Sequence, residues 1–299
     1  MLRTASELTG FTVAGSDGDV GTLEDLYFDD TKWAVRHFVV DAGGWLTGRK
    51  VLLSPRAAVA IDWDSRRLTL DLTKRQIEDS PDIDTDKPVS RQHEVLLYDY
   101  YGYPYYWSGP YLWGDAGFPA IMPGTWHAPD EAVPTSAERA NRTRGAAGLG
   151  TAADTGSVAT RGPTPAYAPG TQRDRLTGDV AIDERQRGDP HLRSARNVTG
   201  YDIRATDDFI GHVEDLLIDD EDWSIPLIVV DTRNWWPGKK VLLAPSRIDA
   251  ISWEDGRVTV KLTREQVENS AEFDASNPPA RESRSELYRP LDWPPRNRP

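Results

Sequence analysis

The sequence contains one segment twice, and this duplication limits the folds that the chain can adopt. Residues 2–80 align without a gap with residues 192–270, and 33 of the 79 aligned pairs are identical. Identity at this level is far above chance, so the chain carries two related modules of roughly 80 residues each. A module of this size buries only about 60–65% of its unfolded surface, which favours a compact, closed β-structure.

Hydrophobic patterning predicts that each module is mainly β. Runs of β-branched and aromatic residues are separated by turn sequences such as Ser16–Asp19 and Asp30–Lys32, as expected for strands joined by tight turns. The strands predicted in the first module are Phe11–Ala14, Val20–Asp29, Trp33–Val40, Lys50–Leu53, Ala58–Trp63 and Leu68–Leu72.

Three further local signals refine this pattern. Thr73 and Gln76, like Thr263 and Gln266, have the spacing of a capping box and predict a short helix that closes each module. Residues 2–10 are interpreted as a polar turn. Pro226 lies inside the second copy of the third strand, where it predicts an edge, a bulge or another irregular point, because proline cannot donate to a strand ladder.

The repeated motifs resemble those of a known family. Each repeat contains four motifs that are similar to those of the PRC-barrel domain. In order, they are Asp17-x-x-x-Gly21-x-x-Glu24-Asp25-Leu26-x-x-Asp29-Asp30, a strand ending in Val-Val-Asp, Gly-[Arg/Lys]-Lys-Val-Leu-Leu-x-Pro, and a closing Leu-Thr-x-x-Gln. That domain is named for the cytoplasmic part of the photosynthetic reaction centre H subunit and also resembles the C-terminal half of the ribosome maturation factor. The resemblance implies a small β-barrel in each copy, used as a protein-docking surface rather than as an enzyme.

The expected architecture is therefore two small β-barrels of the PRC-barrel type, each closed by a short helix and joined by a long disordered linker. The linker is predicted from its Ala, Gly, Pro, Ser and Thr content and its lack of apolar periodicity. The predicted divisions are a first barrel at 1–88, an aromatic tail at 89–122, the linker at 123–191, a second barrel at 192–278 and a Pro-rich C-terminal tail at 279–299.

Charge and composition exclude several classes of function. The net charge of −13 disfavours binding to nucleic acid or to anionic membrane surfaces, which both require clustered Lys and Arg. The chain has no cysteine, so disulfides and thiolate chemistry are excluded. No signal peptide or membrane span is apparent, and we expect a cytoplasmic protein, at most peripherally associated with a membrane, whose protein partner presents a cationic or largely uncharged surface.

Catalytic and metal-binding sets are not predicted. Glu24 and Asp25 are adjacent on a strand and point to opposite faces, so we expect one to face solvent and the other to pair with a base such as Arg49 or Lys50. The acidic runs beginning at Asp29 and Asp219 have turn chemistry rather than EF-hand spacing. None of the five histidines recurs at the 190-residue offset. We therefore predict no catalytic, cofactor-binding or metal-ligating residues and no cofactor.

Aromatic residues supply the candidate interaction sites. Trp33 and Trp63 lie in strand-like contexts and are expected in the core, whereas exposed loop tryptophans are typical interface anchors. For the Tyr-rich segment two interpretations stay open: a recognition strip, or a tail that packs on its own barrel. The candidate interaction residues are Trp45, Leu46, Trp235, Trp236, Tyr101, Tyr103, Tyr105, Tyr106 and Trp107.

These observations favour a non-catalytic adaptor built from two barrel modules. The barrels either pair within one chain as a pseudo-dimer, form a homo-oligomer or each face a partner. One alternative is a peripheral cytoplasmic component of a photosynthetic or electron-transfer membrane complex. A weaker alternative is a metal-dependent hydrolase that uses the Asp clusters.

Overall fold

The computed structural model describes residues 1–46, 48–81, 89–119, 191–232, 239–252 and 254–279. The predicted linker therefore lies outside the described residues, except for His191. The elements of the first repeat are β1 (Leu2–Thr4), α1 (Ala5–Leu8), β2 (Thr12–Gly15), β3 (Gly18–Asp29), β4 (Ala34–Asp41), β5 (Lys50–Leu53), β6 (Ala58–Asp62), β7 (Arg67–Leu70) and α2 (Lys74–Glu78). The tail after it forms α3 (Arg91–Tyr101).

The second repeat follows the same order, as the duplication requires. Its elements are β8 (Leu192–Ser194), α4 (Ala195–Val198), β9 (Asp202–Arg204), β10 (Phe209–Asp219), β11 (Leu227–Asp231), β12 (Lys240–Leu243), β13 (Ile248–Ser252), β14 (Arg257–Val260) and α5 (Arg264–Glu268). Short 3₁₀ turns occupy Gly43–Leu46, Pro55–Ala57 and Pro245–Arg247.

The structure confirms most of the local predictions and corrects one. The six strands of the first module are present, and both capping boxes form, with Gln76 and Gln266 donating their backbone N–H to Thr73 and Thr263. Pro226 lies just before β11 and not within it, which confirms the irregular point. The interpretation of residues 2–10 as a polar turn is wrong, because they form β1 and α1.

Each repeat contributes six strands to a seven-stranded sheet. In the first repeat the order is β5-β4-β3-β2-β7-β6, with only β2 and β7 parallel, and the second repeat has the order β12-β11-β10-β9-β14-β13. Both are mainly antiparallel sheets with few helices. No strand pairing joins β5 to β6, or β12 to β13, within the described residues, so closure of each sheet into a barrel stays a prediction.

The seventh strand of each sheet comes from the other repeat. β2 pairs only with Gly18–Thr22 of β3, and β8 pairs with Tyr27–Asp29 further along the same edge. Reciprocally, β1 pairs with Leu217–Asp219 of β10. Without the exchanged strands, the second half of β3 and of β10 would be open edges with unpaired N–H and C=O groups. The two repeats thus complete each other and belong to one compact unit.

A buried aspartate fixes each exchanged strand to the sheet that it joins. Asp25 accepts hydrogen bonds from the Ser194 hydroxyl at 2.5 Å and from the Arg196 backbone N–H at 3.1 Å, at the start of α4. Asp215 likewise accepts from the backbone N–H and the hydroxyl of Ser6 in α1. The pKa of both carboxyls is raised, because the effect of burial exceeds that of these hydrogen bonds, which lower the pKa. Asp25 and Asp215 therefore make equivalent hydrogen bonds, each of which connects one repeat to the other.

Apolar contacts run through the junction between the repeats. The Phe38 ring lies 4.7 Å from the ring of Trp223, and Leu2 packs fully buried against Leu217 and Leu227 of the second repeat. Trp33 and Trp223 have φ values of 52° and 60° and lie in the turns before β4 and β11. Trp223 is buried, while Trp33 is partly buried and packs against Phe28 at 5.3 Å, so the expected core role of Trp33 is confirmed although its strand conformation is not.

Gly21 and Gly211 allow the closest backbone approach within each sheet. A Cβ at Gly21 would lie 2.0 Å from the carbonyl oxygen of Asp41, and one at Gly211 would lie 2.0 Å from that of Asp231. Because backbone atoms cannot move aside cheaply, we expect Gly21→Ala and Gly211→Ala each to lower the free energy of unfolding by about 2–3 kcal/mol. Chemical denaturation measures this.

Gly44→Ala is the matched control, because a Cβ at Gly44 meets nothing within 4 Å. An equal loss of stability in all three variants would contradict the steric explanation.

Candidate interaction surface

The aromatic tail begins with a helix whose signals are local. Ser90 caps α3 by accepting from the His93 N–H at 3.3 Å, and Gly102 ends it in the left-handed conformation. Glu94, Leu97, Tyr98 and Tyr101 recur at helical spacing and are all buried. Sequence reasoning missed this helix, although the cap, the spacing and the terminal glycine could have revealed it.

The Tyr-rich residues pack on one another beneath the surface of the first repeat. Tyr98 lies at the centre, with ring centroids of Tyr103, Tyr105, Tyr106 and Trp107 at 5.6–6.3 Å. Tyr101, Tyr103, Tyr105 and Tyr106 are 1–7% exposed and Trp107 is partly buried. Burial raises the pKa of Tyr98 to about 12, so its phenol stays protonated at neutral pH. Tyr101, Tyr103, Tyr105 and Tyr106 therefore pack within the tail and do not face solvent.

A fully buried arginine links the tail to the sheet. Arg36, on β4, donates to the Asp29 carboxylate at 3.1 Å and lies under the rings of Tyr106 and Trp113, at 4.1 and 4.8 Å. Burial alone would raise the pKa of Asp29, but Arg36 and the hydrogen bonds from Thr31 lower it overall. The second repeat has Pro226 at the position of Arg36, so this contact belongs to the first repeat alone.

The next residue of β4 joins a second buried network. His37 lies 3.0 Å from the Glu94 carboxylate, which also accepts from the Tyr106 hydroxyl at 2.7 Å and pairs with Arg91 at 3.1 Å. Burial alone would raise the pKa of Glu94, but His37, Arg91 and Tyr106 together lower it. His37 and Glu94 are both 0% exposed, so the pair holds α3 on the sheet and is out of reach of a substrate.

The end of the tail reaches the second repeat and lines a cleft there. Trp113 donates its indole N–H to the backbone oxygen of Asp222 at 2.8 Å, and Arg56 holds the chain by donating to the carbonyls of Trp113 and Pro119. Beyond this contact lies a cleft of about 400 Å³, a volume within the range of about 300–1,000 Å³ that is typical of ligand-binding sites. Its lining residues are Ala58, Val59, Ala60, Ile61, Phe118, Pro119, Asp220, Glu221 and Trp223.

The cleft combines an exposed apolar floor with an acidic side. Val59 and Phe118 are 62% and 59% exposed, which is unusual for large apolar side chains that lie close together. β6 lines the cleft with four of its residues and is the last strand of its sheet among the described residues. Asp220, which pairs with the Met1 ammonium, and the exposed Glu221 also line it. None of the cleft residues is among the nine interaction residues predicted from the sequence.

The predicted tryptophan loops are described only in the first repeat. Trp45 is 37% exposed, donates its indole N–H to the Val20 carbonyl at 2.5 Å and lies under the Lys74 ammonium. Leu46 is buried. Trp235 and Trp236 lie outside the described residues. Trp45 therefore presents part of its ring to solvent, while its polar edge is anchored to its own repeat.

The acidic pairs have structural roles. Glu24 pairs with Lys50 at 2.6 Å, which confirms the expected base, but the expectation that the other carboxylate faces solvent is wrong, because Asp25 is 4% exposed. The Asp29 and Asp222 carboxylates accept from the N–H and hydroxyl groups of Thr31 and Ser224. The interpretation of these acidic runs as turns is thereby confirmed.

Among the described residues, one group has the composition of a metal-ligand set. Ligand atoms of His212, Glu214 and Asp231 lie within 4.8 Å of one another. His212 and Glu214 are two residues apart on β10, and His212 is the strand partner of Asp231 on β11. Sequence reasoning missed the group because Asp231 enters it only through this pairing.

Comparison with known proteins agrees with the duplicated fold. The model of the PRC-barrel domain matches twice, at residues 2–77 and 190–267, which together make up just over half of the chain. No curated protein sequence matches the chain. No described helix is long and apolar enough to cross a membrane. Two matches, on two sheets of the same topology, show that the chain belongs to the PRC-barrel domain family and carries that domain in tandem.

Proposed function

We propose that the chain is a non-catalytic docking protein and that the cleft beside β6 binds an extended, basic and apolar segment of a protein partner. The observation that carries this proposal is the exposed apolar surface of Val59 and Phe118 on and beside β6, which pairs with no further strand among the described residues. An extended peptide can add to such a strand through backbone hydrogen bonds while its side chains enter adjacent pockets. The two barrels then act as one scaffold and not as separate adaptors.

Charge determines the kind of partner. Glu221 is exposed and lines the cleft beside Asp220, whose carboxylate pairs with the Met1 ammonium, and the whole chain has a net charge of −13. A Lys or Arg beside an aromatic or branched aliphatic residue complements this arrangement. Trp45, which is partly exposed and does not line the cleft, is a second candidate anchor, and its counterparts Trp235 and Trp236 lie outside the described residues.

The repeat provides a substitution that tests the cleft without disturbing the fold. Val59 on β6 corresponds to Asp249 on β13, so the fold already accepts an aspartate at this position. We expect a displayed random peptide library to yield basic and apolar sequences, and Val59→Asp to weaken their binding at least ten-fold, about 1.4 kcal/mol. The apolar side chain of the peptide would then cover an unpaired carboxylate, which costs more than the solvent-screened attraction between that carboxylate and a basic residue of the peptide contributes. Higher salt should weaken binding further because Glu221 is solvent-exposed.

Leu96→Glu is the control, because Leu96 is 51% exposed on α3 and outside the cleft. Trp45→Ala in the same assay separates the two surfaces. Peptides that bind Val59→Asp as tightly as the unaltered chain would rule out the cleft, and if Trp45→Ala then abolishes binding, the loop is the docking site.

A further inference from the structure

The second repeat contains a His-carboxylate group that the first repeat lacks. The Nε2 atom of His212 lies 3.7 Å from Oε2 of Glu214, and Asp231, on the neighbouring strand, brings a carboxylate oxygen within 4.8 Å of both residues. His212 and Glu214 are about one-third exposed, whereas Asp231 is 1% exposed. The group therefore has one fixed ligand at its base and two adjustable ligands that solvent reaches.

Lys240 orients the glutamate and leaves one of its oxygens available. The Lys240 ammonium pairs with Oε1 of Glu214 at 2.5 Å, while Oε2 points towards His212. Metal-ligating carboxylates are commonly held in this way by a hydrogen bond to the other oxygen. Two carboxylates and one ammonium leave a net negative charge around His212, which attracts a divalent cation.

The donor set indicates which cation fits. One imidazole and two carboxylates, with a position left for water, suit Zn²⁺ and related first-row divalent ions better than Mg²⁺ or Ca²⁺, which prefer oxygen ligands alone. Zn–N and Zn–O bonds of about 2.0–2.2 Å place neighbouring donors roughly 3.3 Å apart. The present separations of up to 4.8 Å therefore have to shorten on binding, and the two partly exposed side chains are the ones that can move.

The first repeat has the same scaffold without the imidazole. Thr22 pairs with Asp41 as His212 pairs with Asp231, and Lys50 pairs with Glu24 as Lys240 pairs with Glu214. A threonine hydroxyl is a poor ligand for Zn²⁺. The chain thus contains a complete ligand set and a corresponding set that lacks the imidazole, in which the Asp41 carboxylate accepts from the Gly43 N–H at 2.8 Å.

We propose that His212, Glu214 and Asp231 form a binding site for Zn²⁺ or a similar divalent transition metal, present only in the second repeat. Binding would link β10 to the last residue of β11. This site is separate from the cleft beside β6 and does not depend on the docking function.

Titration of the tag-free full chain with Zn²⁺ tests the proposal. We expect one equivalent to bind with an affinity that falls at least ten-fold in His212→Thr, the residue that the first repeat carries at this position. Binding should also weaken as the pH is lowered, because protons compete for the ligands. The Zn²⁺-dependent rise in melting temperature should disappear in the same variant, and equal binding in the variant and the unaltered chain would overturn the proposal.

Thr22→His provides the converse experiment. It completes the matched set in the first repeat, so we expect a second equivalent of Zn²⁺ to bind. Circular dichroism of the metal-free variants verifies that both retain the fold. Binding of only one equivalent by folded Thr22→His would show that these three residues do not suffice, which contradicts the proposal.

Discussion

Cutting the folded chain once within residues 123–184 is expected to leave its two halves bound to each other. β1 pairs with β10 and β8 pairs with β3, so separation would expose two strand edges and the apolar surface around Leu2. Such edges and surfaces are costly to expose to water. Size-exclusion chromatography after cleavage at an inserted protease site measures this, and separate elution of the halves would contradict the exchange.

The exchange also predicts where the effect of a substitution appears. Leu2 is in the first repeat by sequence but packs fully buried against Leu217, Leu227 and Val229 of the second. We expect Leu2→Ala to lower the free energy of unfolding by about 2–5 kcal/mol and to increase hydrogen exchange in β10 first. Leu192→Ala, in the second repeat, should likewise lower the stability and should increase hydrogen exchange first in β3 of the first repeat. Leu96→Ala, at an exposed position, should change neither the free energy of unfolding nor the hydrogen exchange of these strands.

Local sequence signals predicted the elements but not their exchange. The strands and α2 follow from alternation, turns and the capping box, which each depend on a few neighbouring residues. β1 has only three residues, too few for a periodic pattern. The one available signal was that β3 is much longer than β2, so that part of its edge required another partner.

The candidate surfaces likewise depend on contacts between residues that are distant in sequence, which local signals do not predict. Val59 and Phe118 meet at the cleft, and His212 meets Asp231, only after the chain has folded, and neither pair is close in sequence. The Tyr-rich segment was recognised as unusual, but its composition could not distinguish a recognition strip from a packed tail. Arg36 and Glu94 decide how it packs, because each provides a buried charge that the aromatic rings and hydroxyls surround.

The second large effect is expected at Arg36, which is 0% exposed. Arg36→Ala removes the partner of buried Asp29 and the cation beneath Tyr106 and Trp113. Breaking a buried ion pair from one side typically costs about 3–5 kcal/mol, because the remaining charge is left without compensation. Chemical denaturation should show this loss, and hydrogen exchange should locate it in α3 and residues 103–113.

The pH dependence distinguishes the lost charge from lost packing. In the unaltered chain Arg36 helps to hold the pKa of Asp29 below its ordinary value of 3.8, so this carboxylate stabilises the fold above that value and the contribution disappears as the pH falls through the lowered pKa. In Arg36→Ala, burial without the arginine should raise the pKa of Asp29. The stability deficit of the variant should then shrink as the pH falls through this raised pKa.

Two variants control this experiment. Asp29→Asn combined with Arg36→Ala should recover part of the loss, because no buried charge remains. Arg67→Ala breaks the exposed pair with Asp19 and should cost less than about 1 kcal/mol. A deficit for Arg36→Ala that is independent of pH and unchanged by Asp29→Asn would mean that Arg36 acts through packing alone, and that its charge is not what fastens the aromatic tail to the first repeat.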